Sequence, residues 1–295
     1  MKKLLILSGK GGTGKTTIAS SFINLSNAKS FADCDVDAPN LHLVLRQEVS
    51  PKIIDYYGMP RAEIDLDKCI ECNLCKENCR FEAIYKDDEG YKVDKFSCEG
   101  CGVCEKLCLE GAIILRPIID GELKLYKDNK IFSTAELKMG SGTSGKLVTE
   151  VKKQMLLASE DGEIAIIDGS PGIGCPVIAS ISGVDMVLIV TEPTISGISD
   201  MKRIIDTAER FQTKIAICIN KYDINNNNSN IIEKYCEDIG YPVVGRIPYD
   251  VNVIKAINEG YVIVDKDSKA SIAIKEVYNN TIRILYEFNT RGEKQ

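Results

Sequence analysis

Short apolar runs that end at glycine or a polar residue recur along the chain, separated by stretches with helical spacing. Lys3 to Leu7 is the first run, closed by Ser8 and Gly9. Continuous apolar character over so few residues predicts a strand buried on both faces, as in a parallel sheet. Thr16 to Leu25 then predicts a helix. The alternation returns after about residue 145, with a helix over Ser144 to Ser159 and a strand over Ile164 to Ile167 that ends at Asp168. Further strands are predicted at Met186 to Val190, Ile215 to Ile219 and Val243 to Ile247. Helices are predicted through Met201 and Ile205, over Ile231 to Ile239, and from about Ser268 to Phe288. Repeated strand–helix units imply an α/β fold with a mostly parallel sheet covered on both faces. The polar run Asn225 to Asn228 predicts an exposed loop.

Between Arg61 and Arg116 the periodicity gives way to two cysteine-rich repeats, Cys69 to Ala83 and Cys98 to Ala112. They close on the similar phrases Phe81-Glu82-Ala83-Ile84 and Glu110-Gly111-Ala112-Ile113. A duplication that interrupts the strand–helix alternation reads as an insertion. The expected organisation is a discontinuous domain, residues 1–60 and 117–295, with a small α+β domain over 61–116.

Composition narrows the function classes. The formal charge of -6 and pI near 5.2 give no surplus of Lys and Arg for phosphate backbones, so nucleic acid is not the expected partner. The apolar stretch at the amino terminus is too short for a secretory signal, and no run reaches the length of a membrane span. A cytoplasmic protein is expected. Its 12 cysteines do not fit the disulfide framework of a small secreted domain, so reduced thiolates on metal are the expected chemistry.

Gly9-Lys10-Gly11-Gly12-Thr13-Gly14-Lys15-Thr16 matches G-x-x-x-x-G-K-[ST] between a predicted strand and a predicted helix. Glycines there let backbone N–H groups converge on phosphate oxygens, and the helix N-terminus adds its dipole. Gly11, Gly12, Thr13, Gly14 and Thr17 are expected around the phosphates. Lys15 is expected on the β- and γ-phosphates and the Thr16 hydroxyl on Mg²⁺. In the insert, Cys69, Cys72, Cys75 and Cys79, and then Cys98, Cys101, Cys104 and Cys108, repeat the C-x-x-C-x-x-C-x-x-x-C spacing of bacterial ferredoxins. That spacing predicts two [4Fe-4S] clusters. One is held by Cys69, Cys72, Cys75 and Cys108, the other by Cys98, Cys101, Cys104 and Cys79. Zinc is the competing occupant, although a tetrahedral zinc site has no use for the third closely spaced cysteine. Arg80 and Leu109 stand where the ferredoxin run usually carries proline.

The phrase Lys10-Gly11-Gly12-Thr13-Gly14-Lys15-Thr16-Thr17 resembles the deviant Walker A motif of the MinD/ParA/nitrogenase-iron-protein class of SIMIBI ATPases. Asp33-Cys34-Asp35-Val36-Asp37-Ala38-Pro39-Asn40 is similar to the class's switch I, and Asp168-Gly169-Ser170-Pro171-Gly172 to its switch II. The resemblance implies that Lys10 reaches across a nucleotide-sandwiched homodimer and that Asp35 orients the attacking water. It further implies that Asp33 and Asp168 act on Mg²⁺ through water, that the Gly172 amide senses the γ-phosphate, and that Asn220 lies against adenine. Asn220-Lys221-Tyr222-Asp223 also reads as N-K-x-D, the guanine-reading pattern of GTPases, which keeps GTP open beside ATP.

Over its whole length the chain resembles MinD-superfamily ATPases with an inserted two-cluster ferredoxin domain. The implied mechanism is ATP-gated electron transfer through the clusters to a protein redox partner. An ATP-dependent carrier that hands iron–sulfur clusters to an acceptor protein is the second reading. A MinD-like positional regulator with structural clusters is the third. Cys175 follows Asp168 at the spacing of a bridging-cluster cysteine of the nitrogenase iron protein, but the second cysteine of that pair has no counterpart between Leu115 and Glu163. A packed thiol is expected there, and Cys218 is expected buried in its strand. His42, the single histidine, is assigned to packing or surface. The amphipathic segment Ile272 to Phe288 has few basic residues, so docking on the sheet is expected in place of membrane contact.

Overall fold

The computed structural model describes residues 1–159 and 162–287. Among the described residues thirteen strands are formed. They are β1 (Lys2–Ser8), β2 (Ser30–Asp33), β3 (Lys52–Tyr57), β4 (Arg61–Ile64), β5 (Ile84–Asp87), β6 (Gly90–Val93) and β7 (Ile113–Arg116). After these come β8 (Ile119–Lys127), β9 (Ile131–Leu137), β10 (Ile164–Asp168), β11 (Met186–Thr191), β12 (Lys214–Asn220) and β13 (Val243–Ile247). The helices are α1 (Lys15–Ser26), α2 (Leu41–Val44), α3 (Leu74–Glu77), α4 (Val103–Leu107), α5 (Ser144–Ala158), α6 (Cys175–Ile181), α7 (Ile195–Glu209), α8 (Asn226–Ile239), α9 (Val251–Glu259) and α10 (Lys269–Tyr286).

A nine-stranded sheet runs β13-β12-β11-β1-β10-β2-β9-β8-β3. From β13 to β9 every pair is parallel, whereas β8 turns the edge antiparallel and β3 pairs antiparallel with it. Alternation along β1 explains the two-sided cover. Leu5 and Leu7 point into one apolar layer with Leu147, Val151, Val177, Met201 and Ile232. Leu4 and Ile6 point into the other, with Ile18, Phe22, Ile274 and Val277. Successive side chains of a strand face opposite ways, so a continuous apolar run feeds two cores at once.

The predicted strands and helices of this sheet stand where expected, within a residue or a few at their ends. The closing helix spans Lys269–Tyr286, and Phe288 lies outside the described residues. The asparagine run is not a loop. Asn225 caps α8, its side chain accepting from the Asn228 N–H, and the helix begins at Asn226. A short polar side chain that satisfies an orphan N–H makes asparagine a strong helix starter. The antiparallel edge of β3, β8 and β9 was not predicted.

Residues 61–116 form two antiparallel ribbons, β4–β7 and β5–β6, with α3 and α4. The expectation of a ferredoxin-like cluster-binding domain is corrected here. Among the described residues no group of three or more His, Cys, Asp or Glu side chains is arranged to hold a metal ion. Spacing sets how far apart cysteines lie along the chain, but a cubane needs four thiolate sulfurs converging on one point. Cys72 and Cys101 are exposed, Cys98 is buried, and Cys69, Cys75, Cys79, Cys104 and Cys108 are half-buried. Several of them pack as small apolar groups about Ala62, Ala83 and Ile113. Burial, aided by neighbouring cysteines, raises the Cys75 thiol and pushes Cys104 up to about 11. The two [4Fe-4S] clusters, the zinc alternative, and the electron route through this segment are withdrawn with that arrangement.

Candidate nucleotide site

The parallel strands β1, β2, β10, β11 and β12 end together at Ser8, Asp33, Asp168, Thr191 and Asn220. Loops at the carboxyl ends of such strands are where open α/β sheets bind ligands. The P-loop leaves β1 there. Gly12 (φ 80°) and Gly14 (φ 88°) take left-handed conformations, and a Cβ on Gly14 would fall 2.3 Å from the Asn220 Nδ2. Only glycine meets both demands. Asn220 Nδ2 donates to the Thr13 carbonyl at 2.7 Å, fixing the loop from the side.

A cavity of about 400 Å³ opens over this loop. Its polar lining is Lys10 to Thr17 without interruption, Asp35, Asn40 and Asn220. Its apolar lining includes Leu43, Val44, Pro248, Tyr249, Val253 and Ile257. A phosphate-binding loop and apolar side chains on one cavity match the two halves of a nucleotide.

Lys15 is buried and its Nζ lies 2.6 Å from Asp168 Oδ1. Burial works against the lysine's charge, but the charge and hydrogen bond of Asp168 outweigh it and raise the pKa. Asp168 is fully buried and its Oδ2 has no hydrogen-bond partner. An orphaned acceptor beside the Thr16 hydroxyl's loop suits a Mg²⁺-bound water, so the residues fit Mg²⁺ with Thr16 and Asp168. Asp33, expected at a Mg²⁺-bound water, is engaged by backbone N–H groups. Its Oδ1 accepts from Asp35 N–H at 3.0 Å, and its Oδ2 from Asn40 and Leu41 N–H at 2.9 Å each. These bonds hold the backbone from Asp35 to Leu41 in place. Asp35 reaches the cavity itself.

Gly172 is held in a left-handed conformation (φ 96°), and its N–H, the expected γ-phosphate sensor, donates to the Ser8 carbonyl at 3.0 Å. The segments after β2 and β10 touch, the Ser170 hydroxyl donating to the Cys34 carbonyl and Cys34 N–H to the Asp168 carbonyl. Cys175, expected packed, is exposed at the start of α6, while Cys34, Cys218 and Cys236 are buried. His42 sits in the short helix α2.

The N-K-x-D pattern is used internally. Asp223 accepts from the Tyr249 N–H at 2.7 Å and does not line the cavity. Lys221 reaches the Gly12 carbonyl at 3.1 Å and Glu192 at 2.6 Å. Sequence reasoning missed Glu192, Asn40 as a lining residue, and the apolar wall of Pro248 to Ile257. Glu192 had one signal, an acid directly after a buried strand that ends beside the P-loop.

Burial and the nearby Asp168 push the Asp33 pKa up to about 7, and burial foremost raises Asp35 to about 6. The native state therefore keeps protons that an unfolded chain releases near pH 4. A raised carboxylate pKa favours the folded form at low pH, and that advantage is lost as pH climbs through about 7. The nucleotide-free protein should show a higher denaturant midpoint at pH 5 than at pH 7.5. A midpoint that rises across this window would contradict the assignment.

A P-loop at the sheet's carboxyl edge, a lysine–aspartate pair and apolar side chains on the same cavity describe a nucleotide-binding domain. The model of the CobQ/CobB/MinD/ParA nucleotide binding domain matches residues 4–263. The chain belongs to that family. Among its relatives is an uncharacterised protein of Methanocaldococcus jannaschii, 36% identical over 94% of this chain and 95% of the relative. An iron–sulfur cluster carrier protein of Pyrococcus furiosus is 23% identical over 99% of this chain and 90% of its own length. The septum site-determining protein MinD of Pyrococcus horikoshii, solved with Mg-ADP, superposes with a TM-score of 0.57. That match covers 97% of each chain at 18% identity, a likeness of fold. Nucleotide binding follows from family membership. No helix among the described residues is long and apolar enough to cross a membrane.

Proposed function

We propose that the protein is a Mg²⁺-dependent ATPase that works as a switch, closing as a homodimer on ATP and reopening on hydrolysis. The observation that carries this is the pair of lysines on one loop. Lys15 is buried against Asp168, and Lys10 is displayed at the rim, 39% exposed. An interior lysine suits the protomer's own phosphates, whereas a lysine at the rim suits a partner's. Asp35 is the residue proposed to orient water for in-line attack, and Mg²⁺ supplies charge neutralisation of the phosphates when bound. Asn220 and the apolar wall support adenine, because Asp223 is engaged elsewhere. The γ-phosphate would compete with the Ser8 carbonyl for Gly172 and with Asp168 for Lys15, and such differential contacts are what allow a ligand to shift a conformational equilibrium. Residues 61–116, with their own small apolar cluster, are read as a module inserted between 1–60 and 117–295.

Near full-length similarity to an iron–sulfur cluster carrier favours one client in particular. In this reading a cluster is cargo passed to an acceptor protein, with ATP turnover setting when the protein engages it. The test is anaerobic incubation of donor cluster, apo-acceptor and this protein with Mg-ATP or Mg-ADP, following acceptor absorbance and phosphate release together. Cluster transfer that depends on ATP supports a carrier. Phosphate release with no transfer points to a MinD-like regulator of another client, and absence of phosphate release contradicts the ATPase itself.

A further inference from the structure

Lys10 does not float free at the rim. Its Nζ lies 3.4 Å from Glu192 Oε2, while Glu192 Oε1 takes Lys221 at 2.6 Å. One carboxylate, 13% exposed, thus holds two cations, one on the P-loop and one directly after β12. Lys221 in turn donates to the Gly12 carbonyl at 3.1 Å, so Glu192 is pinned against the loop that carries Lys10. The backbone behind it is equally fixed. The Glu192 carbonyl accepts from Thr194 N–H at 2.8 Å, and a Cβ on Gly197 would come within 2.4 Å of that carbonyl. Glu192 therefore sits on a tight turn between β11 and α7, with its carboxylate tied to Lys221.

We propose that Glu192 is a positioning residue that parks Lys10 in cis in the free protomer, so that closure of the dimer must break this ion pair before Lys10 can reach a partner's phosphate. The inference rests on the homodimer reading above. It adds a threshold to it: the rim lysine is attracted to two anions, its own Glu192 and the phosphate opposite, and closure begins when the second wins. Because Lys10 is part-exposed, the pair is a modest one. Removing its charge should lower the ATP concentration at half-maximal dimerisation by about two- to fivefold. Without Glu192, Lys221 keeps its hold on the Gly12 carbonyl and Asn220 its hold on the Thr13 carbonyl, so the loop stays fixed.

The experiment is sedimentation velocity across an Mg-ATP titration for wild type, Glu192→Gln, Lys10→Ala and the double variant, with Mg-ADP affinity of each measured by calorimetry. Glu192→Gln should dimerise at lower ATP with its Mg-ADP affinity unchanged, a combination that a merely structural role would not give. Adding Glu192→Gln to Lys10→Ala should change nothing. Glu192→Asp, whose carboxylate stands one methylene back, should shift in the same direction and serves if the glutamine variant melts early. An unchanged or raised midpoint, or the same shift in the Lys10→Ala background, overturns the latch while leaving the dimer intact. Wild type that stays monomeric at saturating Mg-ATP overturns both.

Discussion

Lys10→Ala should lower the steady-state rate of ATP hydrolysis by about 10²- to 10³-fold while Mg-ADP still binds. The magnitude is that of removing one preorganised donor from a developing charge. The separation of effects follows from the position of the side chain. Lys10 stands at the rim on Glu192, whereas the phosphates' own cradle is formed by Gly11 to Thr17, with Lys15 inside it. Losing the rim lysine therefore leaves Gly11 to Thr17, and Lys15 with them, in place around the phosphates. The comparison is of kcat and of nucleotide affinity for the same preparations. A variant that hydrolyses ATP at the wild-type rate would place Lys10 outside the reaction, and one that loses both binding and hydrolysis would place it in the cradle with Lys15.

Lys15→Met should abolish nucleotide binding and also destabilise the nucleotide-free protein by about 3–5 kcal/mol. The second effect arises from Asp168. Among the described residues one of its oxygens is unpartnered, and the other is held by Lys15 at 2.6 Å in a fully buried setting. Methionine preserves volume but leaves an uncompensated buried carboxylate. Adding Asp168→Asn to Lys15→Met should recover much of the stability without restoring binding. Urea unfolding of the single and double variants reads this coupling directly. If the two losses simply add, the pair does not carry the energy assigned to it.

Legibility of the fold tracked how many faces of an element are buried. β1, β10, β11 and β12 are covered on both sides and read as unbroken apolar runs. β8, Ile-Asp-Gly-Glu-Leu-Lys-Leu-Tyr-Lys, alternates weakly with charges and contains Gly121, whose tight approach to the Glu136 carbonyl no local pattern announces. In the site, glycines and Lys15 were readable because backbone geometry and phosphate chemistry demand them at fixed spacing. Glu192 was not, since its partners lie far along the chain in two separate loops.

Two other failures have the same root. Spacing identified the cysteine repeats, but side-chain direction decides whether sulfurs converge, and direction is a property of the packed segment. Asp223 matched a four-residue pattern, yet its carboxylate is turned to the Tyr249 N–H because the β13–α9 loop lies within its reach. Lys152 lay unremarked inside α5. Buried, it donates to the carbonyls of Ala179, Ser180 and Ser182, closing the end of the helix that follows switch II. Nothing in its neighbours along the chain distinguishes it from a surface lysine.

ATP, and not ADP, is expected to join two copies of this chain through its phosphate edge. Sedimentation of the Asp35→Asn variant, which should bind ATP without turning it over, puts this to the test. A species of twice the protomer mass with Mg-ATP and a protomer with Mg-ADP is the predicted result. The same mass with both nucleotides would contradict it.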